Sequence, residues 1–119
     1  MKKIIRKVLT DPIFKTDYLV QIGGDVNSAI KEFAKRLGVD PWTVHSDERL
    51  QGHFSAYRGV RSGCLWFKHI NPGIVAHECS HAVTFLFDNI KCTLNENSEE
   101  LYSYYLEWLV TEVSSIKYK

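Results

Sequence analysis

Two histidines four residues apart, with a glutamate after the first, constrain this chain more than any other feature. The segment reads His77-Glu78-Cys79-Ser80-His81. Because an α-helix has about 3.6 residues per turn, side chains at i and i+4 project from the same face, and both imidazoles can reach one metal ion. Glu78 then lies beside the metal without binding it, where it can act as a general base. The motif therefore predicts a helix that carries a metal site.

The residues around the motif also predict a helix. Asn71 can cap it, and Pro72 suits its first position, where a missing N–H costs nothing. The predicted helix runs to about Asn89 and is more apolar than a surface helix, so we expect it to be central and buried. Its apolar positions are Ile74, Val75, Ala82, Val83, Phe85, Leu86 and Phe87.

The first half of the chain predicts one strand, one helix and a loop. Pro12–Ile22 is rich in β-branched and aromatic residues and stops at Gly23-Gly24, as a strand would. The segment Val26–Leu37 has an apolar stripe at helical spacing, with Asp25 as its cap and Gly38 at its end. The following residues, 39–51, show little periodicity and predict a loop.

A hairpin and a last helix complete the predicted elements. The segments Gly52–Val60 and Cys64–Ile70 flank the short connection Arg61-Ser62-Gly63, which is typical of two antiparallel strands. After a loop, Asn97 or Ser98 caps a helix that reaches about Ile116. Strands and helices are thus mixed along the chain, and the sequence predicts an α+β fold.

Length, composition and charge limit the class of protein. The chain has 119 residues and no break in composition, so residues 1–119 predict a single domain. No apolar run approaches the roughly 18 residues of a membrane span, so we expect a soluble protein without a membrane partner. The net charge is +1, which gives no general attraction to nucleic acid. A basic arm of Lys2, Lys3, Arg6 and Lys7 is the one feature that would favour such a partner.

The cysteines indicate a reducing compartment. Cys64, Cys79 and Cys92 are an odd number without close pairing, which argues against a disulfide framework. We therefore expect a cytoplasmic protein, in a bacterium or in a phage-infected host.

A catalytic zinc ion needs three protein ligands and one open position, so the two histidines are not sufficient. His81 is the last histidine of the chain, which leaves a downstream acid or cysteine as the third ligand. Glu99 and Glu100 both qualify, because each opens the last helix and that helix can face back onto the motif. Spacing alone does not separate them. The other downstream acids considered are Glu96, Glu107 and Glu112.

From Asn71 to about Leu109, these residues resemble zincin-type metallopeptidases of the gluzincin kind, in particular the small ones encoded by phages and prophages. In that pattern the acid that corresponds to Glu100 is the constant one, so the resemblance implies His77, His81 and Glu100 as zinc ligands, with Glu99 as the alternate. The ImmA/IrrE-like peptidases look similar, but their Glu-x-x-Asn spacing and DNA-binding domain are absent here. SprT-like proteases would add a third histidine downstream, which this chain lacks.

The residues and the resemblance together imply a minimal zincin-like α+β domain. Its small sheet would have about three strands, its central helix would carry the motif, and its C-terminal helix would supply Glu100. The implied function is a zinc-dependent metallopeptidase that hydrolyses a peptide or protein substrate through a zinc-activated water, with Glu78 as general base and the strand Cys64–Ile70 lining the cleft. The alternative is a non-catalytic zinc-containing binding or regulatory protein of a phage or mobile element.

A peptidase also needs a hydrogen-bond donor for the oxyanion that develops on the scissile carbonyl. The candidates are the strand residues His53, Tyr57, Arg58 and His69. Cys79 lies two positions from each histidine, so we expect it to point to another face of the helix and not to bind the metal.

Overall fold

The computed structural model describes residues 3–116 as an α+β fold with four strands and three helices. The α+β class predicted from the sequence is therefore confirmed. The strands are β1 (Ile5–Thr10), β2 (Asp17–Ile22), β3 (Gly52–Ala56) and β4 (Ser62–Phe67), and the helices are α1 (Val26–Leu37), α2 (Pro72–Asn89) and α3 (Glu99–Ser114). Lys2, part of the basic arm considered above, lies outside the described residues.

The four strands form one mixed sheet in the order β1-β2-β4-β3. β1 is antiparallel to β2, β2 is parallel to β4, and β4 is antiparallel to β3. The predicted pairing of the last two strands is therefore confirmed, although both strands are shorter than expected. The inner strands β2 and β4 are buried along nearly their whole length, as expected of strands covered on both faces.

Helix α1 packs on one face of the sheet, with the bounds that the sequence predicts. Asp25 accepts a hydrogen bond from the Ser28 backbone N–H at 2.8 Å, and Gly38 ends the helix in the left-handed region with φ 73°. The two-residue period of the strands directs alternate side chains to this face. The buried cluster here consists of Leu19, Val26, Ala29, Ile30, Phe33, Cys64 and Trp66.

Helices α2 and α3 pack on the opposite face, over the larger of two buried clusters. The sheet contributes Val20, Ile22, Leu65 and Phe67 to it, and the two helices contribute Val75, Cys79, Ala82, Val83, Leu86, Phe87, Tyr105, Leu109 and Val113. α2 is buried along one side only, because His77, His81, Thr84 and Asp88 are exposed along the other. The prediction of a central helix is therefore confirmed by its place in the core, but its burial is limited to one side. None of the described helices is long and apolar enough to cross a membrane.

The expectation of about three strands is wrong, because β1 was not predicted. Its Arg6, Lys7 and Val8 side chains are exposed, and only Leu9 is fully buried. β1 lies at one edge of the sheet, where charged side chains discourage pairing with another chain. An edge strand of this kind lacks the apolar alternation from which a strand is predicted.

The predicted first strand begins five residues late, at Asp17 instead of Pro12, because Asp11 organises a turn. The Asp11 carboxylate accepts hydrogen bonds from four successive backbone N–H groups, at residues 13–16. The Tyr105 hydroxyl donates to the same carboxylate at 2.8 Å. Asp11 is fully buried, so these bonds fix the β1–β2 connection against α3.

Candidate metal centre

Helix α2 begins where the sequence predicts, and this start sets the position of the motif. The Asn71 side chain accepts from the backbone N–H groups of Gly73 at 3.0 Å and Ile74 at 3.3 Å, and Pro72 occupies the first turn. With the helix in this register, Val75, Cys79 and Ala82 face the core. His77 and His81 therefore emerge on the solvent side of the second and third turns.

The two imidazoles approach each other as two ligands of one metal ion would. Their Nε2 atoms are 3.3 Å apart, and their rings are nearly perpendicular, with an interplanar angle of 83°. In a tetrahedral zinc site with Zn–N bonds of about 2.0–2.1 Å, two nitrogen ligands are separated by about 3.4 Å. The spacing of His77 and His81 thus fits two adjacent corners of a zinc tetrahedron.

The Glu78 carboxylate lies beside the histidine pair but is more enclosed. Its Oε2 atom is 3.9 Å from the His77 Nε2 atom, and its side chain is 11% exposed against 65% for His77. A carboxylate in such a partly enclosed position beside two imidazoles can accept a proton from a neighbouring water.

Strand β3 passes close to the stem of Glu78, and a glycine makes this approach possible. A Cβ atom added to Gly52 would lie 2.6 Å from the Ile74 Cγ2 atom and 3.1 Å from the Glu78 Cγ atom. Any side chain at this position would push β3 away from α2. Gly52 therefore holds the edge of the sheet against the motif, a role that the sequence did not indicate.

A cleft of about 680 Å³ lies between β3 and α2 and contains the motif residues. Its walls come from the end of the loop before β3, from β3 itself and from the exposed side of α2. The lining residues are Leu50, Gly52, His53, Phe54, His77, Glu78, His81, Thr84, Phe85 and Asp88. Thr84 and Asp88 continue the face of His77 at i+7 and i+11, a spacing visible in the sequence that the sequence analysis did not use.

The cleft is lined by β3 and not by the predicted strand Cys64–Ile70. β4 pairs with β2 on one side and with β3 on the other, so it has no free edge. β3 is the edge strand next to α2. The expectation that Cys64–Ile70 lines the cleft is therefore wrong, because the hairpin is oriented with its first strand outermost.

The structure does not bring the first turn of α3 to the histidine pair. Glu99 and Glu100 are both exposed, and neither lines the cleft. Within residues 3–116, no three His, Cys, Asp or Glu side chains are grouped so that they could hold a metal ion. Within these residues, the cleft thus brings together two imidazoles and the Glu78 carboxylate, without the Glu99 or Glu100 carboxylate.

The phase of α3 distinguishes the two acids. Its Tyr102 hydroxyl is hydrogen-bonded to the Thr84 hydroxyl at 2.9 Å, which fixes the side of α3 that faces the exposed edge of α2. At about 100° per residue, Glu99 lies roughly 60° around the helix from Tyr102, whereas Glu100 lies roughly 160° away. Glu99 thus lies nearer than Glu100 to the Tyr102 side of α3, although both side chains are exposed.

Among the oxyanion donors considered, only His53 lines the cleft; Tyr57, Arg58 and His69 are exposed and lie outside it. Burial lowers the pKa of His53, while the Glu78 carboxylate raises it and His81 lowers it further. His53 is therefore within electrostatic reach of the motif. His53 is paired with Trp66 in the sheet, and the Trp66 side chain lies on the α1 face. Because the side chains of directly opposed residues point to the same face, His53 also points to the α1 face. It therefore forms only the rim of the cleft.

Cys79 takes no part in the site. Its side chain is fully buried in the core between the two histidine positions. Burial, and then the nearby Glu78 carboxylate, raise the pKa of the Cys79 thiol to about 12. Because this side chain lies in the core and does not line the cleft, Cys79 is not placed to join the histidine pair as a ligand.

The chain gives no match to protein-family models, to curated protein sequences or to solved structures. The cleft itself combines an imidazole pair 3.3 Å apart, an adjacent carboxylate and an open sheet edge.

Proposed function

We propose that the protein is a zinc-dependent metallopeptidase with a minimal zincin-like fold. The observation that carries the proposal is the 3.3 Å separation of the His77 and His81 Nε2 atoms, with the Glu78 carboxylate beside them in one cleft. Both imidazoles lie on the exposed side of α2 and line the cleft, where an ion from solvent could reach them. This geometry, together with the resemblance to gluzincins, favours a metal-assisted hydrolase.

The motif residues would have different roles in hydrolysis. His77 and His81 would hold Zn²⁺, which when bound supplies a Lewis acid that polarises the scissile carbonyl and lowers the pKa of water. Glu78 accepts the proton of the attacking water and delivers it to the leaving amine. Its enclosure beside Gly52 keeps the carboxylate in place during both proton transfers.

The third zinc ligand would come from the first turn of α3. The resemblance assigns it to Glu100, and the phase of α3 relative to Tyr102 favours its neighbour Glu99. Either carboxylate would complete a His-His-Glu site with one open position, which is the ligand set of a catalytic zinc and not of a closed structural one.

The free edge of β3 supports a peptide or protein as the substrate. The Lys68 backbone N–H donates to the Gln51 carbonyl at 2.9 Å, immediately before the Gly52–Phe67 pair of the ladder. Because hydrogen-bonded and non-hydrogen-bonded pairs alternate in an antiparallel ladder, Gly52 and Phe54 direct their backbone N–H and C=O groups outward. An extended peptide would pair with these groups beside the metal site.

The proposed setting is the cytoplasm, without a nucleic-acid or membrane partner. The three cysteines are free thiols, which persist in a reducing compartment. The net charge of +1 gives no general attraction to phosphate backbones. A protein or peptide is therefore the partner that we propose.

Replacement of the general base tests this function. We expect Glu78→Gln to retain zinc, measured by elemental analysis, and to lose hydrolysis of a mixture of quenched fluorescent peptides by at least about 100-fold. Glu48→Gln, which removes an exposed loop carboxylate, is the matched control and should keep full activity.

Two results would contradict the peptidase assignment. If the zinc-loaded wild type cleaves no peptide of the mixture, the alternative of a non-catalytic zinc-containing binding or regulatory protein becomes the better description. If Glu78→Gln cleaves as fast as the wild type, the activity does not come from this site.

A further inference from the structure

The cleft has an aromatic wall on one side of the motif. The rings of Phe54 on β3 and Phe85 on α2 have centroids 5.7 Å apart, and both half-buried side chains line the cleft. Phe85 follows His81 by four residues, so it occupies the next turn on the same side of α2. Leu50 also lines the cleft, but it packs against the cluster on the α1 face. The pair Phe54–Phe85 is thus the apolar surface available to a ligand that enters from β3.

The direction of β3 relative to α2 fixes which part of a bound peptide meets this wall. Gly52 lies over Glu78, and Phe54 lies against Phe85, so β3 runs in the same direction as α2. A peptide that pairs antiparallel to β3, the slightly more stable arrangement, runs in the opposite direction. Its residues near Phe54 and Phe85 therefore precede those near Gly52 and Glu78.

The distance along the helix sets the subsite. Four residues of α2, from His81 to Phe85, span about 6 Å at a rise of about 1.5 Å per residue. An extended peptide advances about 3.4 Å per residue, so this distance corresponds to roughly two residues. A side chain that contacts the aromatic wall would belong to the first or second residue before the scissile bond.

We infer that the protein selects peptides with a large apolar side chain one or two residues on the N-terminal side of the bond that it cleaves. This inference rests on the proposed function and specifies its substrate class. Phe54 and Phe85 are the residues that determine this specificity. The unpaired backbone groups of Gly52 and Phe54 hold the peptide main chain, and the two rings take up the side chain.

Binding of hydroxamates to the zinc-loaded protein tests the inference without a known substrate. In acetyl-Ala-Phe-hydroxamate the phenylalanine precedes the metal-binding group, whereas in a succinyl hydroxamate of Phe-Ala-amide it follows that group. Acetyl-Ala-Ala-hydroxamate is the reference compound. By calorimetry we expect acetyl-Ala-Phe-hydroxamate to bind about tenfold more tightly than the reference, as for a large apolar side chain in a matching pocket.

Two variants connect the preference to the aromatic wall. Phe85→Ala should abolish the tenfold preference. Phe85→Leu keeps an apolar side chain and should retain part of the preference, which shows whether the site survives a milder change. Tyr104→Ala removes an exposed aromatic ring on α3 that does not line the cleft, and it should keep the full preference. Circular dichroism of each variant verifies that the fold is intact.

The outcomes separate this inference from the function on which it rests. If the succinyl hydroxamate binds more tightly than acetyl-Ala-Phe-hydroxamate, or if both Phe85 variants keep the full tenfold preference, the inference is overturned and the peptidase proposal stands. Equal binding of all three compounds by a zinc-loaded protein would do the same. Failure of the protein to bind zinc, or failure of simple acetohydroxamate to bind the zinc-loaded protein, would overturn the proposed function as well.

Discussion

Zinc affinity across three single variants is the most direct test of the proposed centre. The Nε2 atoms of His77 and His81 are 3.3 Å apart, so both are expected to bind one ion, and His81→Ala removes one of its protein ligands. Loss of a partner in the outer shell of a metal site costs about 10–100-fold in metal affinity. Loss of a direct ligand must cost more, and we expect His81→Ala to weaken zinc binding by more than about 100-fold.

Only one of the two acids on α3 should have a comparable effect. Glu99 and Glu100 are about 100° apart around the helix, so they do not face His81 together. We therefore expect one of the variants Glu99→Gln and Glu100→Gln to weaken zinc binding as His81→Ala does. The other variant should change the affinity no more than a typical surface substitution, about threefold or less.

Competition with a chromophoric zinc chelator measures these affinities, starting from metal-free protein. All variants should be compared at one pH, because protons compete with zinc for imidazole and carboxylate ligands. Glu48→Gln, in the exposed loop before β3, is the matched control for a lost carboxylate. The identity of the affected acid then decides between the resemblance, which favours Glu100, and the helical phase, which favours Glu99.

The reasoning would be refuted if neither acid affects zinc binding, because α3 would then not supply the third ligand. Equal large losses in both variants would also refute it, since the effect would then reflect a general change in α3. Unchanged affinity in His81→Ala would show that the close Nε2 atoms are not a metal site.

Two further predictions concern the scaffold of the site. Burial raises the pKa of Asp11, but its bonds from Phe14, Tyr105 and Thr16 outweigh this and hold the pKa below 3.8. The ionised Asp11 carboxylate therefore stabilises the fold fully above pH 3.8, and this stabilisation is lost as the pH falls through the lower folded-state pKa. Between pH 7 and pH 3, urea unfolding should show a smaller decrease in the free energy of unfolding for Asp11→Asn than for the wild type. An equal decrease in both proteins would contradict this. Gly52→Ala should cost about 1–3 kcal/mol in urea unfolding, because its Cβ would lie 2.6 Å from Ile74. Gly73→Ala is the control, because its added Cβ would lie 3.5 Å from the nearest atom, and it should change the free energy of unfolding by no more than about 0.5 kcal/mol. If Gly52→Ala changes the free energy of unfolding as little as Gly73→Ala does, the close approach at Gly52 does not contribute to stability.

The helices were predictable because their signals are local. Asp25 and Gly38 mark the two ends of α1, and Asn71 with Pro72 marks the start of α2, so the predicted bounds agree with the structure. The start of α3 is also close to the prediction, although Ser98 makes no side-chain capping bond. These features depend on residues within one helical turn of each other, which a sequence displays directly.

The arrangement of strands was harder to predict because it depends on distant contacts. β2 pairs with β4 in parallel across more than forty residues of chain, and nothing near either strand encodes that pairing. The position of β3 at the edge follows from it, and so does the lining of the cleft. The turn at Asp11 likewise depends on Tyr105, which is 94 residues away in the sequence. Local patterns do not contain such information.

The candidate site also has a part that follows from local sequence and a part that depends on tertiary contacts. His77, Glu78 and His81 lie on one helix, so their juxtaposition follows from helical spacing. The contributions of Gly52, Phe54 and Phe85 depend on how the sheet edge meets α2, and no local sequence pattern marks these residues as functional. The relation of α3 to the motif is also tertiary, since it depends on the packing of α3 on α2, which includes the contacts of Tyr102 with Thr84 and Phe87.

The two edges of the sheet have different roles: one edge supports the fold and the other borders the cleft. This separation is useful for engineering. At one edge, β1 is charged and the adjacent turn is fastened to α3 through Asp11 and Tyr105, so changes there would threaten the whole scaffold. At the other edge, residues 57–61 connect β3 to β4, and residues 57–59 of this connection are exposed. An affinity tag or a longer loop inserted at that connection would leave the Asp11 network and the α2 cap untouched. Such an insertion would alter only one end of the cleft and would let its selectivity be redesigned separately from its fold.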